Sequence, residues 1–242
     1  MSLNIYKDAD ELSSAAALWI AEYISETLKS QDRFTIALSG GSTPKKLHQQ
    51  LAAVPLKDKI DWGKIHFFWG DERAVPFDDE RNNARMAFDT LLDQVPVNRD
   101  HIHIMRTDIS PDAAAASYEE LLHAYFDKES HSFDLVILGM GDDGHTLSLF
   151  PGYEVVQESE RWALSFFLEE QDMYRITITA PVANLAAKII FLVTGAGKAK
   201  ALQQVLEGAY DPDTYPSQQI HPENGELIWF VDDAAAGLLT KD

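Results

Sequence analysis

The chain has 242 residues, of which 45% are hydrophobic and 10% aromatic, a composition typical of globular proteins and unlike that of disordered or collagen-like chains. Its 39 acidic and 20 basic residues give a net charge of −19, which repels nucleic acid phosphates and anionic lipid surfaces. It has no cysteine, which excludes disulfides, thiolate metal sites and a cysteine nucleophile. With neither a signal-peptide pattern nor a long apolar run, we expect a cytoplasmic protein that binds no nucleic acid and no membrane.

Short β-branched runs alternate with longer helical patterns along the chain. The predicted elements, in chain order, are helix Ala9–Leu28, strand Phe34–Leu38, helix Pro44–Ala53, strand Ile65–Trp69, helices Asn82–Leu92 and Pro111–Lys128, strands Asp134–Leu138, Arg175–Ala180 and Ile189–Thr194, helix Lys198–Leu206 and a last strand near Leu227–Val231. The first helix has an apolar stripe that we expect in the core, formed by Leu12, Ala15, Ala16, Trp19, Ile20 and Tyr23.

This alternation predicts a single α/β domain over residues 1–242, with a mostly parallel sheet covered by helices on both faces. Ligands of such folds bind at the carboxyl ends of the strands. The loops Asp71–Glu80 and Gly139–Ser159 each follow a strand directly, and a third loop-rich part is Gly208–Glu226. The first two loops are therefore candidates for the site.

Two stretches of the chain, Arg33 to Lys57 and Met173 to Leu206, contain no acidic residue. At the average content of the chain they would hold about four and about five or six acids. Buried strands are generally poor in charge, but this does not explain why the remaining charges are all positive. Each stretch contains a glycine turn, Ser39–Thr43 and Thr194–Lys198, so we expect the two turns to meet around one anion.

The local chemistry of both turns agrees with an anion site. Thr43 suits a helix cap and Pro44 the first helical position, and a helix that begins at a glycine turn directs free N–H groups toward a phosphate or carboxylate. A plain turn also favours glycine, but two glycines with two hydroxyls favour function. In the second turn, Lys198 opposes the helix dipole and is better explained by a ligand than by helix stability.

The turn after the strand Asp134–Leu138 has the dinucleotide-binding pattern G-x-G-x-x-G at Gly139, Gly141 and Gly144. Asp142 and Asp143 would lie where a pyrophosphate must sit, and Pro151 ends any following helix early, so this pattern is weak here. His145, beside Asp143 in the same turn, is a candidate general base with a carboxylate to orient it.

Two further groups of polar residues leave alternatives open. Asp71, Glu72 and Arg73 directly follow a hydrophobic strand, which places them either at the rim of a ligand crevice or in a solvated loop with a weak surface ion pair. His101 and His103 point the same way if their segment is extended, but no third metal ligand is evident, and a surface role is favoured.

Taken in order, these loops resemble those of the 6-phosphogluconolactonase family. The matching residues are Leu38-Ser-Gly-Gly-Ser-Thr-Pro44, Gly70-Asp-Glu-Arg-Ala-Val-Pro76 followed by Asn82-Asn83, Gly139-Met-Gly-Asp-Asp-Gly-His-Thr-Leu-Ser-Leu-Phe-Pro-Gly152, Arg175-Ile-Thr-Ile-Thr179 and Val193-Thr-Gly-Ala-Gly-Lys-Ala199. The resemblance implies a sugar-phosphate isomerase-like, modified Rossmann α/β fold. It also implies hydrolysis of the δ-lactone of 6-phosphogluconate without metal or cofactor.

The resemblance also assigns roles to residues of this chain. His145 is implied as the base that activates water, with the carboxylates of Asp143 and Asp71 near it. The residues implied in holding the 6-phosphate are Gly40, Gly41, Ser42, Thr43, Arg73, Arg175 and Lys198. The ligand is then a phosphorylated sugar lactone, while the oligomeric state stays open between a monomer and a weak dimer.

The chain departs from the family pattern at two places. Leu168–Tyr174 is acidic where the family usually has a basic Pro-Lys-Pro-Pro segment, and Asp142 stands where proline is common.

Two rival functions are weighed against the lactonase. Glucosamine-6-phosphate deaminases normally have an acid that assists ring opening where this chain has Phe150, and a catalytic acid needs a titratable side chain. A non-catalytic sugar-phosphate sensor needs an output module, and a charge of −19 leaves no basic candidate for one.

Overall fold

The computed structural model describes residues 1–240. Its strands and helices, in chain order, are β1 Ser2–Tyr6, α1 Ala9–Thr27, β2 Phe34–Leu38, α2 Ser42–Leu51, β3 Ile65–Trp69, β4 Asp71–Arg73, α3 Asn83–Ala87, α4 Pro111–Phe126, β5 Leu135–Gly139, β6 Ala163–Leu168, β7 Met173–Ile178, α5 Ala180–Asn184, β8 Lys188–Val193, α6 Ala199–Glu207 and β9 Glu226–Asp232. A π-helical turn, Phe88–Leu92, continues α3.

Six strands of the described chain form a parallel sheet in the order β1-β9-β8-β5-β2-β3. The chain passes from β2 outward to β3 and then returns to the other side of β2 as β5. The topological switch point of the sheet therefore lies between β2 and β5, and ligands of open α/β sheets bind outside the strand ends at such a point.

Both faces of this sheet are covered, because alternate side chains of its strands point to opposite sides. On β2, Ile36 and Leu38 pack with α1 and α2, whereas Ala37 packs with α4, α6 and the strand β7 on the other face. The predicted stripe of α1 contributes to the first of these cores, with Leu12 and Ile20 fully buried. The predicted parallel sheet with helices on both faces is confirmed.

A second, three-stranded antiparallel sheet, in the order β4-β7-β6, differs from the prediction. The loop predicted to begin at Asp71 begins with a strand, and the predicted strand Arg175–Ala180, observed as β7, lies in this second sheet and not in the parallel one. The chain changes sheets at Gly70, whose N–H donates to Leu38 O (2.9 Å) while its carbonyl accepts from Ile178 N (2.8 Å). The strand β4 forms because β7 pairs with it, not because of its own charged sequence.

Other elements that the patterns did not indicate are short or lie at an edge. The strand β1 is largely exposed and pairs with β9 alone, and α5 has five residues. Among residues 1–240, no helix is both long enough and apolar enough to cross a membrane.

Candidate active site

A cavity of about 200 Å³ lies at the carboxyl ends of β2 and β5, at the switch point of the sheet. The predicted site residues that line it are Gly40, Gly41, Asp71, Arg73, His145, Arg175 and Lys198. Its other lining residues, to which the sequence assigned no individual role, are Ser39, Asn83, Gly139, Met140, Gly141, Thr146 and Leu147. Ser42 and Thr43 belong to the first turn of α2, and Asp143 contacts the site through His145.

The glycine turn after β2 has a conformation that side chains rarely adopt. Gly41, the residue before α2, has φ 104°, and a Cβ at Gly40 would lie 1.9 Å from Asn83 Oδ1. Thr43 does not cap the helix as predicted, because the helix begins at Ser42 and Gly41 is its N-cap residue. Thr43 Oγ1 instead lies 2.9 Å from Thr194 Oγ1. This contact joins the two glycine turns, which confirms that the two acid-free stretches meet.

His145 is fixed by a carboxylate in its own turn. Its Nδ1–H donates to Asp143 Oδ1 over 2.6 Å, and its backbone N–H donates to the same oxygen over 3.0 Å. A Cβ at Gly141 would lie 2.1 Å from His145 Nδ1, so only glycine permits this approach. With Nδ1 engaged, Nε2 is the nitrogen available to a water or a substrate.

The charge of Asp143 is held by the same contacts. Partial burial works to raise the pKa of Asp143, but the hydrogen bonds and charge of His145 outweigh it and hold the pKa below its usual value. The carboxyl group therefore stays ionised and acts as an acceptor for His145, and it does not compete with the imidazole for the proton.

Phe150 lies between the histidine and an arginine. Its ring stacks on the imidazole of His145 with a centroid distance of 4.1 Å, and the guanidinium carbon of Arg175 lies 5.6 Å from the centroid of the phenyl ring. Phe150 is 7% exposed. The place that an acid takes in deaminases is thus filled by an apolar wall against the imidazole.

Asp71 is a buried residue whose partners come from a loop, from β7 and from α3. Its Oδ2 accepts from Ser148 Oγ over 2.6 Å, and Arg175 Nη1 lies 3.6 Å from the same oxygen. Asn83 Nδ2 donates to the backbone carbonyl of Asp71 over 2.9 Å. Burial lowers the pKa of Arg175, and the charge of Asp71 opposes that shift.

Glu72 faces away from the cavity and ties β4 to α3. It is 1% exposed, and its carboxylate accepts backbone N–H bonds from Arg73 (2.8 Å), Asn83 (2.7 Å) and Ala84 (2.8 Å). Burial raises the pKa of Glu72 to about 7, against these hydrogen bonds. Of the two alternatives for this segment, the solvated loop is wrong, because Asp71 and Glu72 are buried. Asp71 and Arg73 line the cavity, whereas Glu72 does not.

The cavity is locally basic although the whole chain is acidic. Its described lining contains three cations, Arg73, Arg175 and Lys198, against the single carboxylate of Asp71. Arg73 Nη1 donates to Arg81 O over 2.8 Å, and its buried Nε has no hydrogen-bond partner among residues 1–240. Lys198 Nζ lies 2.5 Å from Asp142 Oδ1.

The lysine turn is held in place by a residue that sequence reasoning missed. Both carboxylate oxygens of Asp232, at the end of β9, accept from Gly195 N over 3.0 Å. Gly195 has φ 94°. The signal available in the sequence was an acidic residue directly after the apolar run Leu227–Val231.

The histidines weighed as metal ligands form a stack at the sheet edge. The rings of His66 and His101 have centroids 3.8 Å apart, and Tyr125 Oη lies 2.7 Å from His103 Nε2. In the described part of the chain, no group of three or more His, Asp or Glu side chains is placed to hold a metal ion.

Comparison with known proteins places this chain in a family. The family model described as "Glucosamine-6-phosphate isomerases/6-phosphogluconolactonase" matches residues 7–229. The chain belongs to this family. A member, the 6-phosphogluconolactonase of Nostoc sp., is 42% identical over 243 residues, covering 99% of this chain and 98% of the relative. The 6-phosphogluconolactonase of Synechocystis sp. is 40% identical, covering 93% and 92% of the two chains.

Solved structures of the family share the fold. The structure of 6-phosphogluconolactonase from Trypanosoma brucei matches with a TM-score of 0.87 and 28% identity, covering 99% of this chain and 98% of that one. A monomeric glucosamine-6-phosphate deaminase matches with a TM-score of 0.84 at 22% identity, covering 98% and 100%. The sugar-phosphate isomerase-like fold that the sequence implied is thereby confirmed.

The acidic segment Leu168–Tyr174, where the family usually has basic and proline residues, connects β6 to β7. Its Gln171 Oε1 accepts from Arg175 Nη2 over 2.6 Å, and its Glu170 accepts from Tyr153 Oη over 2.6 Å. In this member of the family, the segment therefore supports the buried arginine through a neutral amide.

Proposed function

We propose that this protein hydrolyses 6-phosphoglucono-δ-lactone to 6-phosphogluconate in the pentose phosphate pathway. The observation that carries the proposal is the pair His145–Asp143 at a cavity whose described lining has three cations and one carboxylate. The relatives named 6-phosphogluconolactonase at 42% and 40% identity support it.

The chemistry assigned to His145 is that of a general base. Nε2 removes a proton from a water molecule whose oxygen attacks the lactone carbonyl carbon. The ester bond between that carbon and the ring oxygen then breaks, and the ring oxygen leaves as a hydroxyl after it receives a proton. Asp143 holds the Nδ1–H tautomer and stabilises the imidazolium that forms. A positioned base of this kind contributes about 10² to 10⁴ in rate.

The other residues are assigned to the charges of the substrate. Arg73, Lys198 and the N-terminal turn of α2, from Gly40 to Thr43, are proposed to hold the 6-phosphate, since guanidinium, ammonium and free backbone N–H groups all favour a dianion. Arg175 stays assigned to the 6-phosphate as well, and Asp71, whose carboxylate contacts its guanidinium, stays assigned as a carboxylate near the base.

Phe150, the residue beside the base, supports a lactonase over a deaminase. A deaminase needs a titratable group to assist ring opening, and the ring of Phe150 covers one face of the imidazole at 4.1 Å instead. Lactone hydrolysis by a histidine base needs no such acid. The assigned chemistry also requires neither metal nor cofactor. A cytoplasmic location stays a prediction, since plant members of the family are named chloroplastic.

The test is lactone hydrolysis above the spontaneous rate, with and without the 6-phosphate on the substrate. We expect rapid turnover of the phosphorylated lactone and poor turnover of the unphosphorylated one. Glucosamine 6-phosphate, offered in parallel, should release no ammonia. Equal rates on both lactones would contradict the phosphate site, and ammonia release without lactone hydrolysis would support a deaminase.

A further inference from the structure

An ion pair joins two of the loops that form the cavity. Lys198, in the turn after β8, is assigned to the substrate phosphate, yet its Nζ lies 2.5 Å from Oδ1 of Asp142, in the turn after β5. A Cβ on Gly197 would lie 3.3 Å from Asp142 Oδ2. The carboxylate therefore lies against the lysine turn itself and occupies one side of the ammonium.

The exposure of this pair indicates that an incoming ligand can break it. The side chain of Asp142 is 71% exposed and that of Lys198 is 28% exposed. An ion pair so near to water contributes little to stability. Its geometry nevertheless places a negative oxygen at the atom that a phosphate needs.

A carboxylate and a phosphate compete unequally for one ammonium. The carboxylate has one negative charge, whereas a phosphate monoester has about −1.5 to −2 at pH 7 and three acceptor oxygens. A dianion that also reaches Arg73 and the N–H groups of α2 can displace Asp142, while a monoanion gains too little charge attraction to do so.

We infer that Asp142 sets the affinity of the phosphate site, as an internal competitor for the phosphate-binding ammonium of Lys198. It lowers the affinity of the site for every anion that must displace it, so an anion binds only when its other contacts outweigh that cost, as those of a phosphate dianion to Arg73 and α2 do. This inference rests on the proposed function for the identity of the substrate. The competition itself concerns phosphate binding and requires no turnover.

The experiment removes the charge of Asp142 in the full chain and measures binding with and without Lys198. We expect Asp142→Asn to lower the KM of the phosphorylated lactone and the Kd of inorganic phosphate, by titration calorimetry, about two- to fivefold, the range of an exposed ion pair. In a Lys198→Ala background, the same substitution should leave both constants almost unchanged. Acetate should inhibit Asp142→Asn more strongly than wild type, because an external carboxylate can take the vacated place.

Asp108→Asn is the matched control, because it also removes one partner of an exposed ion pair, with Arg106, away from the cavity. It should leave the phosphate Kd at the wild-type value. An unchanged phosphate Kd in Asp142→Asn would overturn the inference. An equal gain in phosphate affinity with and without Lys198 would mean that the carboxylate acts through its long-range charge and not by competition. A lower kcat at unchanged KM would mean that Asp142 stabilises the loop.

Failure of this inference and failure of the proposed function give different results. A wild-type protein that does not hydrolyse the lactone would refute the proposed function, while the phosphate titrations would still test the competition. Hydrolysis that is normal in wild type, combined with identical phosphate binding in wild type and Asp142→Asn, would refute the competition alone.

Discussion

At the scale of single residues, a substitution of His145 tests the catalytic step separately from substrate binding. We expect His145→Ala to lower kcat by about 10² to 10⁴, the usual contribution of a positioned base, while 6-phosphogluconate still binds through the other loops. Because a base must be unprotonated, kcat/KM of wild type should fall on the acid side through one titration, and the variant should lack that limb. Rates are measured over a pH series after subtraction of spontaneous ring opening.

His123→Ala is the matched control for this experiment. His123 forms a histidine–aspartate pair of similar geometry with Asp127, 2.7 Å long, on the exposed face of α4, and its loss should change neither the rate nor the pH profile. Unchanged catalysis in His145→Ala would move the base elsewhere, with Asp71 the next candidate.

Lys198 provides the test of the phosphate site. A charge-assisted hydrogen bond contributes about 1.5 to 3 kcal/mol, so we expect Lys198→Ala to lower kcat/KM for the phosphorylated lactone about ten- to a hundredfold. The competition from Asp142 favours the lower end of that range. Lys200→Ala, at an exposed lysine in the same turn region, should behave like wild type, and similar losses in both variants would indicate a general charge effect.

Residue roles could be predicted where the partners are close in sequence. Asp143 and His145 lie in one turn, so their pairing followed from chain geometry alone. Ser148, which donates to Asp71 across 77 positions, and Asp232, which fixes Gly195 across 37, could not be found this way. Their contacts depend on strand order, which no local pattern contains.

At the scale of elements, Glu72 determines how the second sheet meets α3. We expect Glu72→Gln to lower the free energy of unfolding by about 1 to 3 kcal/mol, the cost of an unsatisfied buried polar group, because the amide nitrogen of glutamine would face an N–H donor. Urea unfolding measures the loss. Glu80→Gln, at an exposed acid of the same segment, should have no effect, and equal stability of both variants would contradict this role.

Elements could be predicted where strands are buried on both sides. The apolar runs Phe34–Leu38 and Ile65–Trp69 are strands with the bounds that their sequence predicts, since both are flanked by other strands or covered on both faces. The strand Asp71–Arg73 consists of three charged residues and has no strand pattern of its own. Its conformation comes from pairing with β7, which is about a hundred residues away.

At the scale of the whole molecule, buried histidines connect stability to pH. Burial lowers the pKa of His48 to about 4, and burial together with the neighbouring His101, Arg33 and His103 lowers that of His66 to about 4. His131 has the opposite shift, because the hydrogen bond to Asp134 raises its pKa. The balance of these groups favours an acid-sensitive fold, and His48, at 0% exposure, is the cleanest case.

The contacts of His48 determine which of its ring nitrogens carries the proton. Thr90 Oγ1 donates to Met86 O over 2.7 Å, so it accepts the Nδ1–H of His48, 3.1 Å away. The buried Nε2 has no partner among residues 1–240, and a second proton there would be an unpaired buried charge. The folded state therefore resists protonation that the unfolded chain accepts.

Above about pH 6.5 neither state binds this second proton, and between that pH and the folded pKa of about 4 only the unfolded state does. The free energy of unfolding should therefore fall as the pH is lowered, by about 2 kcal/mol from His48 alone between pH 8 and 5. The side chain of His48→Asn can still donate to Thr90. Urea unfolding of this variant should show a change in the free energy of unfolding between pH 8 and pH 5 that is smaller by that amount, even if the substitution also lowers stability at pH 8. His221→Asn, at an exposed histidine, should keep the wild-type difference. If His48→Asn also keeps it, the acid sensitivity belongs to the histidine stack around His66, since protonation there brings cations together beside Arg33.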